Sequence, residues 1–364
     1  MNIAFRVDGS PHIGGGHLSR CLTIANLIKK RGGNCLFVLR EHQGSLSDLV
    51  TRAGHKLELL PLQLEKNEEY GYYESWVGAS WQTDSAQSLR AINKYFNSQI
   101  DWLIVDHYGL DSRWENEFTN KGIKVGVIDD LVNRCHNSNF LLDQTCGRDK
   151  KEYKELVPST AELFLGEKFC LLRDEFFSLR VRAIEKRNSF SSVQKVLINF
   201  GSTDPTGQTL LALKGIESYA KQKNVEVLLV IGSGCPSLEQ IKSTLKSLHY
   251  KIKLYIDTNS VGELILDSDL CIGAAGASTW ERCFLGLPTL LVKTAENQAD
   301  VINRVISCNA AIGYIGDLDC ESSLANALDK LENNFEPVSK ASLQLDIGNS
   351  LDVFIKYLYG EKYE

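Results

Sequence analysis

The residues of this sequence best able to do chemistry sit in a few short loops. The most informative loop reads Arg6-Val7-Asp8-Gly9-Ser10-Pro11-His12-Ile13-Gly14-Gly15-Gly16-His17 and leads from an apolar run into a helical pattern. Gly14, Gly15 and Gly16 let the backbone come close to a ligand, and the unpaired N–H groups of a helix start suit an anion. His17 is a candidate general base, because the positive end of a helix favours neutral imidazole near pH 7, whereas a nearby diphosphate acts the other way. An arbitrary histidine at a helix start is more often chemically idle. Asp8 and Arg6, two charges at the end of an otherwise apolar run, weigh against that reading here. His12, further out in the loop, suits substrate contact or plain exposure.

Four more loops follow the same rule. Val105-Asp106-His107-Tyr108 ends an apolar run with Asp106, and Tyr108 is in reach to order a water or an imidazole. In Asn199-Phe200-Gly201-Ser202-Thr203-Asp204, the Asn199 amide lies in an apolar run and needs a partner, either structural or a ligand. Ser202 and Thr203 can donate to phosphate oxygens. Gly276-Ala277-Ser278-Thr279 leads small residues into a helix whose first amides can hold a diphosphate. Glu281, a few residues on, can accept two hydrogen bonds from a ribose diol or simply favour the helix start as a surface charge. Asn297 and Gln298 can reach sugar or phosphates, or cap the next helix.

These loops need a scaffold that presents them together. Short apolar runs over Ile3–Val7, Cys35–Leu39, Leu57–Leu60, Trp102–Val105, Lys124–Ile128 and Phe140–Leu142 alternate with helix-period segments such as Leu18, Cys21, Leu22, Ala25 and Ile28. A second cycle runs through Val196–Phe200, Val225–Ile231, Ile252–Ile256, Leu270–Ile272 and Thr289–Val292. Strand–helix alternation with apolar strands predicts an α/β fold of two Rossmann-like domains with parallel sheets, and such sheets bind ligands at the carboxyl ends of their strands. The expected division is residues 1–168, a charged linker over 169–194, a second domain over 195–340 and a terminal helix over 341–364 that packs back on the first domain.

Bulk properties narrow the field. The 364 residues suit two domains, and 43% hydrophobic with 24% charged residues is ordinary globular composition. A net charge of −6 argues against a general nucleic-acid binder. Ten cysteines without Cys-x-x-Cys spacing read as buried thiols of a reducing compartment. The first residues lack a leader pattern, and no run approaches the roughly 20 apolar residues that span a bilayer. A cytoplasmic protein without nucleic-acid or membrane partners, metal or cofactor is expected, acting as a monomer on a small molecule.

The loops, taken with further blocks, resemble a known family. Arg6-x-Asp8, Ile13-Gly14-Gly15-Gly16-His17-x-x-Arg20-Cys21, Trp76-Val77-Gly78-Ala79-Ser80 with Asp84, and Val105-Asp106-His107-Tyr108 come first. Leu171-Leu172-Arg173-Asp174-Glu175-Phe176, Gly201-Ser202-Thr203-Asp204, Gly276 through Arg282 and Glu296-Asn297-Gln298 follow in order. Together they are similar to the PseG family, the UDP-2,4-diacetamido-2,4,6-trideoxy-β-L-altropyranose hydrolases of pseudaminic acid synthesis. The resemblance implies a GT-B-type fold related to the peptidoglycan GlcNAc-transferase, with a ligand cleft between the domains. It implies UDP held mainly by the second domain, uracil read by backbone near Tyr255-Ile256, and a metal-independent reaction with His17 as base. Ser202 departs from the family, which often has glycine there, and the chain is longer than compact members.

Loops and resemblance together give His17, Asp8 and Tyr108 as the expected catalytic set. The expected substrate-binding set is Arg6, Gly14, Gly15, Gly16, Arg20, Asp106, Asn199, Ser202, Thr203, Ile256, Gly276, Ala277, Ser278, Thr279, Glu281, Asn297 and Gln298. Because UDP leaves as a stabilised anion, one base aimed at water suffices, unlike glycosidases with paired carboxylates. Water then attacks the anomeric carbon with inversion, giving UDP and the free amino sugar. A GT-B glycosyltransferase that passes the sugar to an acceptor, or a nucleotide-sugar-binding protein without turnover, would use similar loops.

Overall fold

Runs of Val, Ile, Leu and Phe without polar alternation become strands buried on both faces. The computed structural model describes residues 1–63 and 71–362, which divide into two units: Met1–Leu171 with Gly348–Glu364, and Leu172–Ile347. In the first unit β1 (Asn2–Val7), β2 (Asn34–Arg40), β3 (Lys56–Leu60), β4 (Trp102–Asp106), β5 (Val125–Ile128), β6 (Phe140–Asp143) and β7 (Glu162–Leu165) form one sheet. Its order is β3-β2-β1-β4-β5-β6-β7, and every pairing is parallel. The chain order reverses at β1, which lies between β2 and β4. Val7 pairs with Asp106, so the loops after β1 and β4 leave the sheet side by side.

Apolar side chains fill both faces of this sheet. Ile3, Phe5 and Val7 join one cluster with Leu18, Ile24 and Ile28 of the helix Gly16–Lys30. Ala4 points into the other, with Ile92, Trp114 and Phe118. The helix Leu351–Tyr359 adds Leu351, Phe354, Ile355 and Leu358 to the first cluster, and Trp102 Nε1 donates to the Leu358 carbonyl at 3.0 Å.

The second unit repeats the plan with β8 (Lys195–Asn199), β9 (Glu226–Ile231), β10 (Lys251–Ile256), β11 (Leu270–Ala274), β12 (Thr289–Val292) and β13 (Ile312–Tyr314). The parallel order is β10-β9-β8-β11-β12-β13. The reversal falls between β8 and β11, where Gly273 pairs with Asn199. A Cβ on Gly273 would lie 2.7 Å from the Asn199 carbonyl, so the close approach there requires glycine.

Residues 169–194, expected to be a linker, are largely a helix of the second unit, Asp174–Asn188. Its charges are engaged and not solvated spacing. Arg187 is buried and donates to the carbonyls of Ile265, Ser268 and Leu285, while burial pulls its pKa down to about 10. Strands β7 and β13 were not expected from sequence. Both are sheet edges of four and three residues, too short for a periodicity to register. Among the described residues no helix is long and apolar enough to cross a membrane.

Candidate active site

The loop after β1 closes on itself before the helix begins. Gly14 donates to the Ser10 carbonyl at 2.7 Å and adopts φ +87°, a conformation that glycine takes without strain. The helix then starts at Gly16 without a side-chain cap or an acidic residue in its first turn. His17 and Arg20, one turn apart, share a face of it. His17 Nδ1 donates to Asp106 Oδ1 at 2.5 Å; Arg20 reaches the same carboxylate with Nε to Oδ2 at 2.5 Å and Nη2 to Oδ1 at 2.7 Å. Arg20 Nη1 donates to Asp130 at 2.9 Å, and the Tyr108 hydroxyl donates to the other oxygen of Asp130 at 2.5 Å. The Tyr108 ring stands edge-on to the imidazole, with centroids 4.4 Å apart. The Trp76 ring also stands edge-on to the imidazole, with centroids 6.4 Å apart.

The electrostatics select a protonation pattern. Burial opposes charge on Asp106, but the Arg20 guanidinium and His17 outweigh it and hold the carboxyl well below its ordinary range. Burial would lower Arg20, and its two carboxylates Asp106 and Asp130 keep it charged. Burial and the Asp130 charge push the Tyr108 phenol well up, so it stays a donor. An ionised Asp106 only accepts, which places the imidazole hydrogen on Nδ1 and leaves the Nε2 lone pair as the basic atom. Among the described residues no hydrogen bond engages Nε2. This is the geometry of an oriented general base.

Asp8, expected beside His17, turns elsewhere. Its Oδ1 accepts from the Arg40 amide at 2.6 Å and pairs with Arg6 at 2.8 Å; Oδ2 lies 3.1 Å from His107 Nε2. Arg6 continues to Asp84 at 2.8 Å, and Asp84 also binds Arg40 and Trp114 Nε1. Strand alternation explains the difference: Arg6 follows the Ala4 face of β1, toward the helix Trp81–Phe96 that carries Asp84. Arg6 and Asp8 therefore belong to a buried charge cluster, and the carboxylate partner of His17 is Asp106. Asp130 was overlooked in the sequence, although it gives the same signal as Asp106, an acid just past an apolar strand.

In the second unit the Asn199 amide finds a structural partner, donating to the Val230 carbonyl at 3.2 Å. Ser202 is exposed and Thr203 buried in the loop after β8. The start of the next helix, Gln208–Gly215, is already occupied: Asp204 accepts from the amides of Gln208 at 3.0 Å and Thr209 at 2.8 Å. The helix Ser278–Phe284 differs, since no side chain caps it and Gly276 before it is exposed with open space around it. Buried Arg282 braces this turn from behind, donating to the Ala274 carbonyl at 2.7 Å and to Ser278 Oγ at 2.9 Å. Ala277 opens the turn, and Thr279 is buried beneath it. Glu281 accepts from Arg173 at 3.0 Å. Gln298 Oε1 accepts from the Thr294 amide at 2.9 Å, tying its own loop, with half-buried Asn297 beside it. Ile256 ends β10 and is 37% exposed. Among the described residues no group of three or more His, Cys, Asp or Glu is placed to hold a metal.

Two parallel α/β sheets in this arrangement are the GT-B fold. The chain superposes on MurG of Acinetobacter baumannii with a TM-score of 0.63 over 99% of both chains, at 12% identity. Residues 200–345 match the glycosyltransferase family 28 C-terminal domain. The fold is therefore that of the GT-B class, and the second unit carries a stretch similar to the family 28 glycosyltransferase domain.

Sequence relatives are more particular. The chain is 26% identical over 286 residues to the UDP-2,4-diacetamido-2,4,6-trideoxy-β-L-altropyranose hydrolase of Campylobacter jejuni, covering 78% of this chain and 89% of that one. It is 25% identical over 305 residues to the uncharacterized protein MJ1062 of Methanocaldococcus jannaschii. That match covers 82% of this chain but only 57% of the archaeal protein, so the chain spans little more than half of that relative.

Proposed function

We propose that the chain hydrolyses a UDP-activated diacetamido-trideoxy sugar to UDP and the free sugar, a step of nonulosonic (pseudaminic) acid synthesis. The observation that carries this reading is His17, with Nδ1 held by Asp106 and Nε2 left free at a helix start lined by glycines. Nε2 takes a proton from water as the water attacks the anomeric carbon, and the imidazolium that forms is stabilised by Asp106. UDP departs with the electrons of the C–O bond. The similarity to the Campylobacter hydrolase supports the substrate class. The uncapped start of Ser278–Phe284 suits the diphosphate better than Gln208–Gly215, whose first amides Asp204 already fills.

A transferase reading draws on the family 28 domain. Steady release of UDP from the nucleotide sugar alone, in proportion to free sugar, favours hydrolysis; release only with an added acceptor favours transfer. Hydrolysis in ¹⁸O-water then locates the bond that breaks. Label is expected in the sugar, because helix amides and hydroxyls suit an intact departing diphosphate. Label found in UDP would overturn attack at carbon.

Glu281 is the proposed ribose contact. Glu281→Ala should weaken UDP binding by about 1.5–3 kcal/mol, the range for hydrogen bonds to a charged group. Uridine should lose about as much as UDP, since the contact is to the sugar and not to phosphate. Unchanged affinity for both by calorimetry would reduce Glu281 to the structural partner of Arg173.

A further inference from the structure

Among the described residues around His17, Asp130 stands out as a second carboxylate on the guanidinium that Asp106 also uses. Among the described residues, several segments bring titratable or aromatic groups to the imidazole. The helix Gly16–Lys30 supplies Arg20, and also Cys21, whose thiol is pushed well up by burial and the Asp106 charge and so stays neutral. The end of β4 supplies Asp106, His107 and Tyr108; His107 is buried, which lowers it, and Tyr108 stays a phenol. The loop after β1 supplies Asp8 and exposed His12, and the segment before Trp81 supplies the neutral ring of Trp76. The loop after β5 supplies Asp129, Asp130 and Arg134.

Most of these charges cancel locally. Asp8 and Asp84 are met by Arg6 and Arg40. Asp129 pairs with Arg134 at 2.7 Å. Behind Asp130, Arg148 pairs with Asp143 and Glu152, and the Asp143 carboxyl is pushed up to about 6, first by burial and then by Asp130, against the pull of Arg148. Among the described residues nearest the imidazole, this leaves the Arg20 guanidinium shared between two carboxylates, Asp106 and Asp130. Arg20 Nη2 also lies 3.3 Å from His17 Nδ1, close enough to oppose protonation of the ring unless its charge is spent elsewhere.

We infer that Asp130 is a positioning residue that keeps His17 basic: it draws off part of the Arg20 charge and leaves the His17–Arg20–Asp106–Asp130 group net negative. Through the Tyr108 hydroxyl it also fixes the ring packed against the imidazole. This rests on the proposed role of His17 as base. Without Asp130, Arg20 neutralises Asp106 alone and the surroundings favour imidazolium less.

A base works when neutral, so kcat/KM rises with pH through the ionisation of the free enzyme's base. Asp130→Asn should move that acid limb to lower pH by about one unit, the size of shift one nearby charge produces. Tyr108→Phe, which removes the hydroxyl and keeps the carboxylate, should leave the limb in place, and Asp130→Glu should restore it. The same titration read by NMR from the His17 ring, assigned by its loss in His17→Gln, needs no substrate. If wild type turns over no UDP-sugar but the His17 titration moves in Asp130→Asn, the hydrolase reading fails and the coupling stands. A titration and a limb that coincide with wild type in Asp130→Asn would overturn the inference. So would an equal shift in Tyr108→Phe, which would assign the effect to the hydroxyl.

Discussion

Replacing His17 with Asn is expected to lower turnover at least about 10²-fold, the usual range for loss of a positioned base. Asn keeps a polar side chain of similar reach, so Asp106 and Arg20 retain a neighbour and the fold is preserved. What disappears is the basic Nε2 atom. Binding of UDP, measured by calorimetry, should change far less, because the proposed nucleotide contacts lie in the second unit. Asp106→Asn tests the same base from the other side: an amide can turn its NH₂ toward Nδ1 and stabilise the wrong tautomer. Turnover within a factor of a few of wild type in His17→Asn would remove His17 from the chemistry. The nucleotide assignments, which rest on separate loops, would stand.

Much of the scaffold is legible in the sequence because parallel strands buried on both faces leave continuous apolar runs. β1 and β4 each announce where they stop by ending in charge, at Arg6-Val7-Asp8 and at Val105-Asp106. The order of strands was not readable. Only the reversal at β1 makes β4 its neighbour and brings Asp106 level with Val7. A reader of the sequence meets Asp8 first, nine residues before His17, and assigns it to the histidine by proximity along the chain. The sheet assigns Asp106 instead, because pairing register and not sequence distance decides which carboxylate reaches a helix start. Asp130 carries a local signal, an acid past an apolar run, but for the same reason its role is not legible. Its partners Arg20 and Tyr108 come from a helix after β1 and a loop after β4, and nothing local to β5 signals either.

The second unit offers a different lesson. Gly201-Ser202-Thr203-Asp204 and Gly276-Ala277-Ser278-Thr279 look alike as sequences that feed helix starts. They differ in what already fills those starts. Asp204 supplies an internal anion to Gln208 and Thr209, whereas the start of Ser278–Phe284 is uncapped and braced from beneath by Arg282. A capping carboxylate and a bound phosphate compete for the same amides, which is why the diphosphate is proposed at the uncapped start.

The largest stability effect is expected at Asp84. This carboxylate is fully buried and accepts from Arg6 at 2.8 Å, from Arg40 at 2.5 Å and from Trp114 at 2.9 Å. Asp84→Ala leaves the buried Arg6 guanidinium with Asp8 alone and takes from Arg40 its carboxylate partner, and breaking a buried pair this way costs about 3–5 kcal/mol. For a unit of this size that is roughly 10 °C in melting temperature. The pH dependence has a definite sign. Burial works against charge on Asp84, but Arg6 and Arg40 win and hold its folded pKa below the ordinary carboxylate value; Arg6 does the same for Asp8, more strongly. Groups with a depressed folded pKa stabilise above the unfolded value, near 4, and lose that contribution as pH falls through the folded values. Wild type should therefore lose stability progressively below about pH 4. Asp84→Ala should start lower at neutral pH and decline less steeply in acid, because one of the responsible carboxylates is gone. Thermal melts of both proteins between neutral and acid pH provide the comparison. Equal melting temperatures at pH 7 would mean that Arg6 and Arg40 find other partners and that Asp84 is dispensable to the first unit.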